Sequence, residues 1–175
     1  MTQEYSWKPR CILVLLMLVL PLGACTPEPD LENSIPVPEK VFDVTKRPLK
    51  SESAYQIDFN LKARYPNTEA ISFYSDAFTK NGWSVCAGNN AWTEYDKQED
   101  DKKSTIPIRQ KLEYFVSDKV KRLLLVALRY FGERRSDTKQ PRKWNNEIQH
   151  VTVVMYDLRE DFNKTLSLLS LSCKQ

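Results

Sequence analysis

Apolar and polar side chains alternate strictly in the segment that begins at residue 55. Tyr55, Ile57, Phe59, Leu61 and Ala63 fall on one side of an extended chain, and polar residues fill the positions between them. An alternation with a period of two indicates a β-strand with one buried face, which is most often part of an antiparallel sheet. The segment therefore predicts the first strand of a domain.

A helical pattern follows this strand. Asn67 or Thr68 can cap the helix, Glu69 suits the positive end of its dipole, and Gly82 provides a left-handed stop. The apolar residues between these ends recur at helical spacing and form one stripe: Ala70, Ile71, Tyr74, Ala77 and Phe78. The spacing predicts a helix over residues 67–82 that lies across a sheet.

Further strands are predicted downstream of the helix. One begins at Trp83 and runs towards Trp92, and the sequence Gly88-Asn89-Asn90 within it allows a turn or a bulge. The nearly continuous apolar run 123–128 predicts a central strand that continues to Tyr130. Residues 148–158 alternate again and predict the last strand.

Two segments in the second half of the chain allow more than one structure. Residues 106–117 fit both a helix and an alternating strand, and we favour the strand because a hairpin turn would follow it. Residues 159–175 allow a short helix packed back on the domain. The polar segments 96–105 and 132–146 predict an exposed loop and a hairpin connection.

The order of the elements is strand, helix, several strands and a tail. Strands that follow one helix favour the α+β class over a parallel sheet. We therefore predict an antiparallel sheet of about four strands with one main helix packed on one face, within residues 51–175. The other face, which carries Asp58, Asn60, Lys62 and Arg64, would be open to a protein partner or covered by the tail and residues 106–117.

The first residues of the chain have the pattern of a bacterial export signal. Lys8 and Arg10 give a basic start. Residues 11–22 are apolar and uncharged, and they are fewer than the roughly 20 residues of a membrane-spanning helix. An uncleaved membrane anchor is the alternative interpretation.

The sequence Leu22-Gly23-Ala24-Cys25 resembles the lipobox of bacterial lipoproteins. In that family Leu22 would fill the large aliphatic position, Ala24 the small position before the cut and Cys25 the modified position, while Gly23 stands where Ala, Ser or Thr is more common. The resemblance implies a diacylglyceryl group on the Cys25 thiol and cleavage before Cys25. It also implies acylation of the new amine, for which palmitate is expected.

The same resemblance implies a location in the cell. Thr26 follows the modified position, whereas an Asp there retains enterobacterial lipoproteins in the inner membrane. We therefore expect an outer-membrane lipoprotein that faces the periplasm. Residues 1–24 are then the signal peptide, and residues 25–50, which hold half of the 10 prolines, form a lipidated, Pro-rich tether. Several acyl chains would make this anchor permanent, because each buried methylene contributes about 0.8 kcal/mol.

Charge and cysteine content narrow the function further. The chain has a net charge of +3, and removal of the signal leaves about +2, which is too little to predict a polyanionic partner over the whole surface. The compartment excludes nucleic acid. Cys86 and Cys173 remain after processing, and an oxidising compartment favours a disulfide between them. Two separate buried thiols are the alternative.

Few residues suggest catalysis. His150, the chain's single histidine, lies in a predicted strand without a Cys or carboxylate at metal-ligand spacing, so a structural role is expected. The chain has only 4 Gly and lacks both the phosphate-loop and the nucleophile-elbow motifs. We expect no cofactor, no metal and no enzymatic activity, although paired carboxylates leave an enzyme of cell-wall material as a hypothesis.

Basic side chains cluster near the predicted hairpin connection. The candidate binding patch consists of Arg134, Arg135, Arg142, Lys143 and Trp144. These residues could bind lipopolysaccharide phosphates, anionic lipid or an acidic protein. A solvated hairpin tip is the alternative interpretation and the one we favour.

These observations lead to one expected function and to rivals. We expect a lipid-anchored, non-enzymatic periplasmic protein that binds another component of the cell envelope. An immunity protein or inhibitor that neutralises a toxin or a cell-wall hydrolase is the first rival, since a basic hairpin could plug an acidic cleft. A scaffold of a secretion or envelope machine is the second.

Overall fold

Strands dominate the computed structural model, which describes residues 30–49, 53–87, 91–99 and 104–173. A one-turn 3₁₀ helix, Arg159–Asp161, precedes the second α-helix. The strands and α-helices of these residues are, in chain order, β1 (Phe42–Leu49), β2 (Ala54–Lys62), α1 (Glu69–Thr79), β3 (Ser84–Ala87), β4 (Thr93–Gln98), β5 (Thr105–Ser117), β6 (Arg122–Phe131), β7 (Ile148–Asp157), α2 (Phe162–Leu168) and β8 (Ser172–Cys173).

All of these strands belong to one antiparallel sheet. Its order is β1-β2-β7-β6-β5-β3-β8, and β4 pairs with β5 outside this path. The long strand β5 pairs with both β3 and β4 along the same edge. Val116 and its neighbours pair with β3, and residues 105–110 pair with β4. The central strands β7, β6 and β5 are therefore paired on both sides.

The predicted α+β fold with about four strands and one main helix is wrong, because the described chain is mostly β. Two of the missing strands, β1 and β4, are exposed along nearly their whole length, so their sequences show no apolar alternation. The strand predicted from Trp83 towards Trp92, with a turn or bulge allowed at residues 88–90, corresponds to β3, which ends at Ala87, and β4 begins only at Thr93.

One face of the sheet, which we call the inner face, carries the main core. The short helix α1 packs its buried residues Ala70, Tyr74 and Phe78 against this face. Alternate residues of four strands complete the cluster: Tyr55, Ile57, Phe59, Phe115, Leu124, Val126, Leu128, Val151, Val153 and Met155. Each large side chain buried in such a core contributes roughly 1.5–3 kcal/mol, which makes the inner face the main source of stability.

The domain begins earlier than the predicted boundary at residue 51. The compact unit starts at Leu31, and Ile35 is buried within the main core. The Tyr74 hydroxyl donates a hydrogen bond to the Pro36 carbonyl at 2.9 Å, and burial raises the pKa of Tyr74. Most of the predicted tether, including β1, therefore belongs to the folded domain.

The two ends of the sheet differ in what they carry. The turn 118–121 between β5 and β6 marks one end, which we call the turn end. The connection 132–147 between β6 and β7 marks the other, the hairpin end. The ten residues of β6 separate the two by roughly 30 Å. The described chain enters at the turn end, where Arg122 Nη1 donates to Ser34 Oγ at 3.3 Å.

The signal peptide, the lipobox and Cys25 lie outside the described residues, so they stay predictions. Within the described ranges, no helix has both the length and the apolar character that a membrane span requires.

Candidate functional site

The face of the sheet opposite α1, which we call the outer face, carries a transverse row of polar side chains. Residues that oppose each other in an antiparallel sheet share a face, so the strand registers bring side chains from six strands together. This polar row consists of Arg47, Asp58, Thr152, Arg129, Gln110 and Tyr95. It crosses the sheet nearer the hairpin end than the turn end.

Hydrogen bonds run along the polar row. Arg129 Nη1 donates to Thr152 Oγ1 at 3.1 Å, and the Thr152 hydroxyl donates to Asp58 Oδ1 at 2.7 Å. On its other side Arg129 Nε donates to Gln110 Oε1 at 2.7 Å, and the same oxygen accepts from the Tyr95 hydroxyl at 3.1 Å. The row is therefore one connected network that fixes the side chains within it.

Arg129 is the central cation of the polar row. It is half-buried, and none of the described carboxylates forms an ion pair with it. Thr152 and Gln110 hold two of its nitrogens, and no hydrogen bond from Nη2 is found within the described residues. A planar guanidinium held in this way can present further N–H donors to a carboxylate or phosphate.

His150 lies beside Arg129 on the outer face. The two residues are cross-strand partners, and the imidazole packs edge-on against Phe131 with ring centroids 4.6 Å apart. Burial and the Arg129 charge lower the pKa of His150, while Asp43 opposes them. The imidazole is therefore neutral at pH 7, so the polar row keeps Arg129 as its principal positive charge at this point.

A groove of about 660 Å³ occupies the other half of the outer face, nearer the turn end. Its floor is formed by Tyr114, Leu123, Leu125 and Tyr156, and α2 forms one wall. The wall presents one side of the helix, because the lining residues recur at helical spacing: Asp161, Lys164, Thr165, Leu168 and Leu169. The groove is therefore apolar at its base and mixed at its rim.

A second core cluster and two cysteines hold α2 in this position. Phe162 is buried, and Leu166 packs beside it against Cys86, Val116 and Leu123. The predicted pairing of Cys86 with Cys173 agrees with the structure, in which the two sulfurs are 1.99 Å apart. Residues 159–173 therefore form a strap that is attached to the sheet at both of its ends.

The structure places the predicted basic patch against acidic side chains of β4. Arg135 Nη2 lies 2.6 Å from Asp96 Oδ1, and Arg142 bridges Asp96 and Glu94 at 3.1 and 3.0 Å. Burial alone would raise the pKa of Asp96, but hydrogen bonds from Arg142 and Arg135 outweigh it and hold that pKa below its usual value. These two arginines therefore fasten the hairpin connection to the sheet.

The other members of the patch also have partners within the domain. Arg134 Nη2 lies 2.6 Å from Glu99 Oε1, and Lys143 Nζ lies 3.7 Å from Glu133 Oε2. The Trp144 ring stacks under the Arg109 guanidinium, with 4.0 Å between the guanidinium carbon and the ring centroid. The five residues come together at the hairpin end, but neighbouring acids compensate the positive charges of the four basic residues, and two of these acids, Asp96 and Glu99, belong to the predicted loop 96–105.

The buried carboxyl of Glu113 lies away from the outer face. Its cross-strand partner is Val126, whose side chain belongs to the main core, so Glu113 points to the inner face. Burial raises the pKa of Glu113, and the nearby Lys111 opposes this effect. Glu113 is therefore separated by the sheet from the polar row.

Within the described ranges, no group of three or more His, Cys, Asp or Glu side chains is arranged to hold a metal ion. Comparisons with protein-family models, with curated proteins and with solved structures find no match to this chain.

Sequence analysis missed most of the polar row. Asp58 was predicted on an open face of the sheet, whereas Arg129, at the start of the basic segment, and Thr152 were not assigned to that face. The available signal was the presence of polar residues within central strands that are mostly apolar. A central strand with both faces buried would have apolar residues at these positions too. The alignment of the polar residues into a row depends on the strand registers, which only the structure gives.

Proposed function

We propose that this chain is a lipid-anchored, non-enzymatic protein of the cell envelope that binds an acidic segment of another envelope protein on its polar row. The observation that carries the proposal is the half-buried Arg129, which Thr152 and Gln110 hold in place and which has no carboxylate partner in the described part of the chain. The lipobox-like sequence at residues 22–25 supports the proposed location in the cell envelope.

The fixed position of Arg129 favours binding. Ordering a long, flexible side chain at an interface costs about 0.5–1.5 kcal/mol, and the bonds from Nε and Nη1 have already ordered this guanidinium. Arginine is also among the residues that contribute most strongly to protein interfaces. A partner carboxylate would therefore gain a charge-assisted hydrogen bond at little further entropic cost.

The surroundings of Arg129 suit a protein segment. On one side of Arg129 the His150 imidazole meets the Phe131 ring edge-on, and further along the outer face the Gln56 amide donates to the Asp58 carboxylate. An acidic side chain flanked by polar and aromatic groups matches this mixture. The lack of excess positive charge around Arg129 argues for one or two carboxylates rather than a polyanion.

The proposal is tested by photocrosslinking in living cells. Lys62, an exposed residue on the outer face of β2, is replaced by a photoreactive amino acid in the full-length chain, and Asp76 on α1 serves as the control position. We expect a discrete protein adduct from position 62 and none from position 76. Equal adducts at both positions, or none at either, would contradict the proposed surface.

A charge-reversal pair then tests Arg129 itself. Arg129→Glu should reduce the position-62 adduct at least about tenfold, which corresponds to about 1.4 kcal/mol, because one charge-assisted bond becomes a repulsion. Lys80→Glu makes the same change of charge at the exposed end of α1 and should leave the adduct unchanged. Arg129→Gln keeps hydrogen-bonding capacity but removes the charge, so it is a second variant for the case that Arg129→Glu misfolds. It should also weaken the adduct.

A further inference from the structure

The turn end of the domain carries exposed aliphatic and basic side chains. Val120 in the β5–β6 turn, Leu168 at the end of α2 and the following Leu169 are 46%, 76% and 43% exposed. Lys119 and Lys164 are exposed beside them, and within the described residues neither forms an ion pair. Lys121 adds a third cation, although Asp118 pairs with it. We call these three aliphatic residues and three lysines the proximal patch.

The turn 118–121 and the strap are neighbours in the fold. The Leu158 amide donates to the Lys121 carbonyl at 3.0 Å, and Lys121 Nζ lies 4.9 Å from the centre of the Phe162 ring. Ser53, in the connection between β1 and β2, lines the same groove as Leu168. The start of the strap therefore lies at the turn end, and Leu168 and Leu169 line the groove on the adjoining part of the outer face.

The chain enters the domain at this same end. Ser34 bonds to Arg122, the first residue of β6, and the compact unit begins at Leu31. Residues 26–30 are all that separates Leu31 from Cys25. A chain of that length spans at most roughly 20 Å when fully extended. A lipid on Cys25 would therefore keep the turn end close to the bilayer, whereas the tether predicted from sequence would have let the domain move away.

From this placement we infer that the proximal patch lies on the surface of the anchoring membrane. The inference rests on the proposed lipid anchor and adds the orientation of the domain. Val120, Leu168 and Leu169 enter the headgroup region, and Lys119 and Lys164 lie at the level of anionic phosphates. Tethering supplies an effective concentration in the millimolar range, so even a weak contact is populated.

The orientation has a consequence for the proposed partner site. The polar row crosses the outer face nearer the hairpin end, and the basic connection 132–147 lies beyond it. With the proximal patch on the membrane, Arg129 lies on the part of the domain that is farther from the lipid. A soluble or membrane-bound partner can therefore reach it from the periplasmic side.

The test uses the full mature lipoprotein in vesicles of phosphatidylethanolamine and phosphatidylglycerol. Leu168→Cys carries an environment-sensitive fluorophore, and the vesicles contain lipids with a quencher near the headgroup. Ser136→Cys, an exposed position at the hairpin end, carries the same fluorophore as the matched control. Val120→Cys provides a second proximal position.

We expect quenching at positions 168 and 120 to exceed quenching at position 136 at least threefold. Equal quenching at all three positions, in protein that sediments with the vesicles, would overturn the orientation and leave the anchor standing. Protein that does not sediment with the vesicles would overturn the anchor and the orientation together. The two failures are therefore distinguishable within one experiment.

Discussion

Arg134 and Arg135 are adjacent in the sequence but have opposite environments. The Arg134 side chain is 67% exposed and pairs with Glu99 at the surface, whereas the Arg135 side chain is 5% exposed. Arg135 also donates to the carbonyl oxygens of Thr138 and Gln140 at 3.0 and 2.7 Å. One arginine is a solvated surface group, and the other closes the hairpin connection from inside.

This contrast predicts different effects of the same substitution. Arg135→Ala should lower the free energy of unfolding by about 3 kcal/mol, because it leaves two carbonyls without their donor and removes one of the two arginines that hold the Asp96 carboxylate. Arg134→Ala should cost less than about 1 kcal/mol, as is usual for an exposed ion pair. Urea denaturation measures both variants, and equal losses would contradict the assigned roles.

Acid should weaken the effect of Arg135→Ala. The pKa of Asp96 is lowered in the folded state, so its contribution to stability is present above the unfolded value of about 3.9 and is lost as the pH falls through the folded value. The difference in the free energy of unfolding between the wild type and Arg135→Ala should therefore decrease as the pH is lowered, which the same urea experiment measures.

At the scale of elements, the strap is the part whose position depends most on covalent structure. It joins the sheet through a small core around Phe162 and through the two-residue strand β8. The Cys86–Cys173 pair, with a sequence separation of 87, lies at its end. The groove wall that carries Leu168 therefore depends on this bond.

Removal of the bond should release the strap before the sheet. The Cys86→Ala/Cys173→Ala variant should lose up to about 4.6 kcal/mol of stability, the chain-entropy value for so long a loop. Hydrogen exchange should rise in α2, while amides of β6 and β7 stay protected because they lie in the centre of the sheet. Unchanged exchange in α2 would show that packing alone holds the strap.

The elements that sequence predicted well are those with one buried and one solvated face. The alternation from Tyr55 corresponds to β2, and the predicted helix 67–82 contains α1, followed by Gly82 at a φ of 78°. Both signals arise because a half-buried element must place apolar residues at its own period. The disulfide could also be predicted, because only two thiols would remain after the proposed removal of the signal and lipidation of Cys25.

The elements that sequence missed lack such a pattern. In β1 and β4 nearly every side chain is exposed, so backbone pairing with β2 and β5 holds these strands in the sheet. Because they bury few apolar side chains, their sequences have no apolar alternation. The prolines that suggested a tether include Pro36, whose carbonyl accepts the Tyr74 hydroxyl inside the domain. The polar row and the paired arginines depend on registers between distant strands, which composition does not encode.

At the scale of the whole molecule, the two ends of the domain have different proposed roles. The turn end receives the chain from the proposed lipid anchor and carries the proximal patch. The half of the outer face nearer the hairpin end carries Arg129 and the proposed partner site. Both assignments depend on the export and lipidation of Cys25, since that residue sets the distance to the bilayer.

The most direct test of the account is therefore the intact mass of the mature protein extracted from the membranes of cells that make it. We predict a chain that begins at Cys25 and carries a diacylglyceryl group and an amide-linked acyl chain, and we predict that Cys25→Ser leaves the full 175 residues unprocessed. A mature chain that begins elsewhere, or a Cys25 without lipid, would contradict the account.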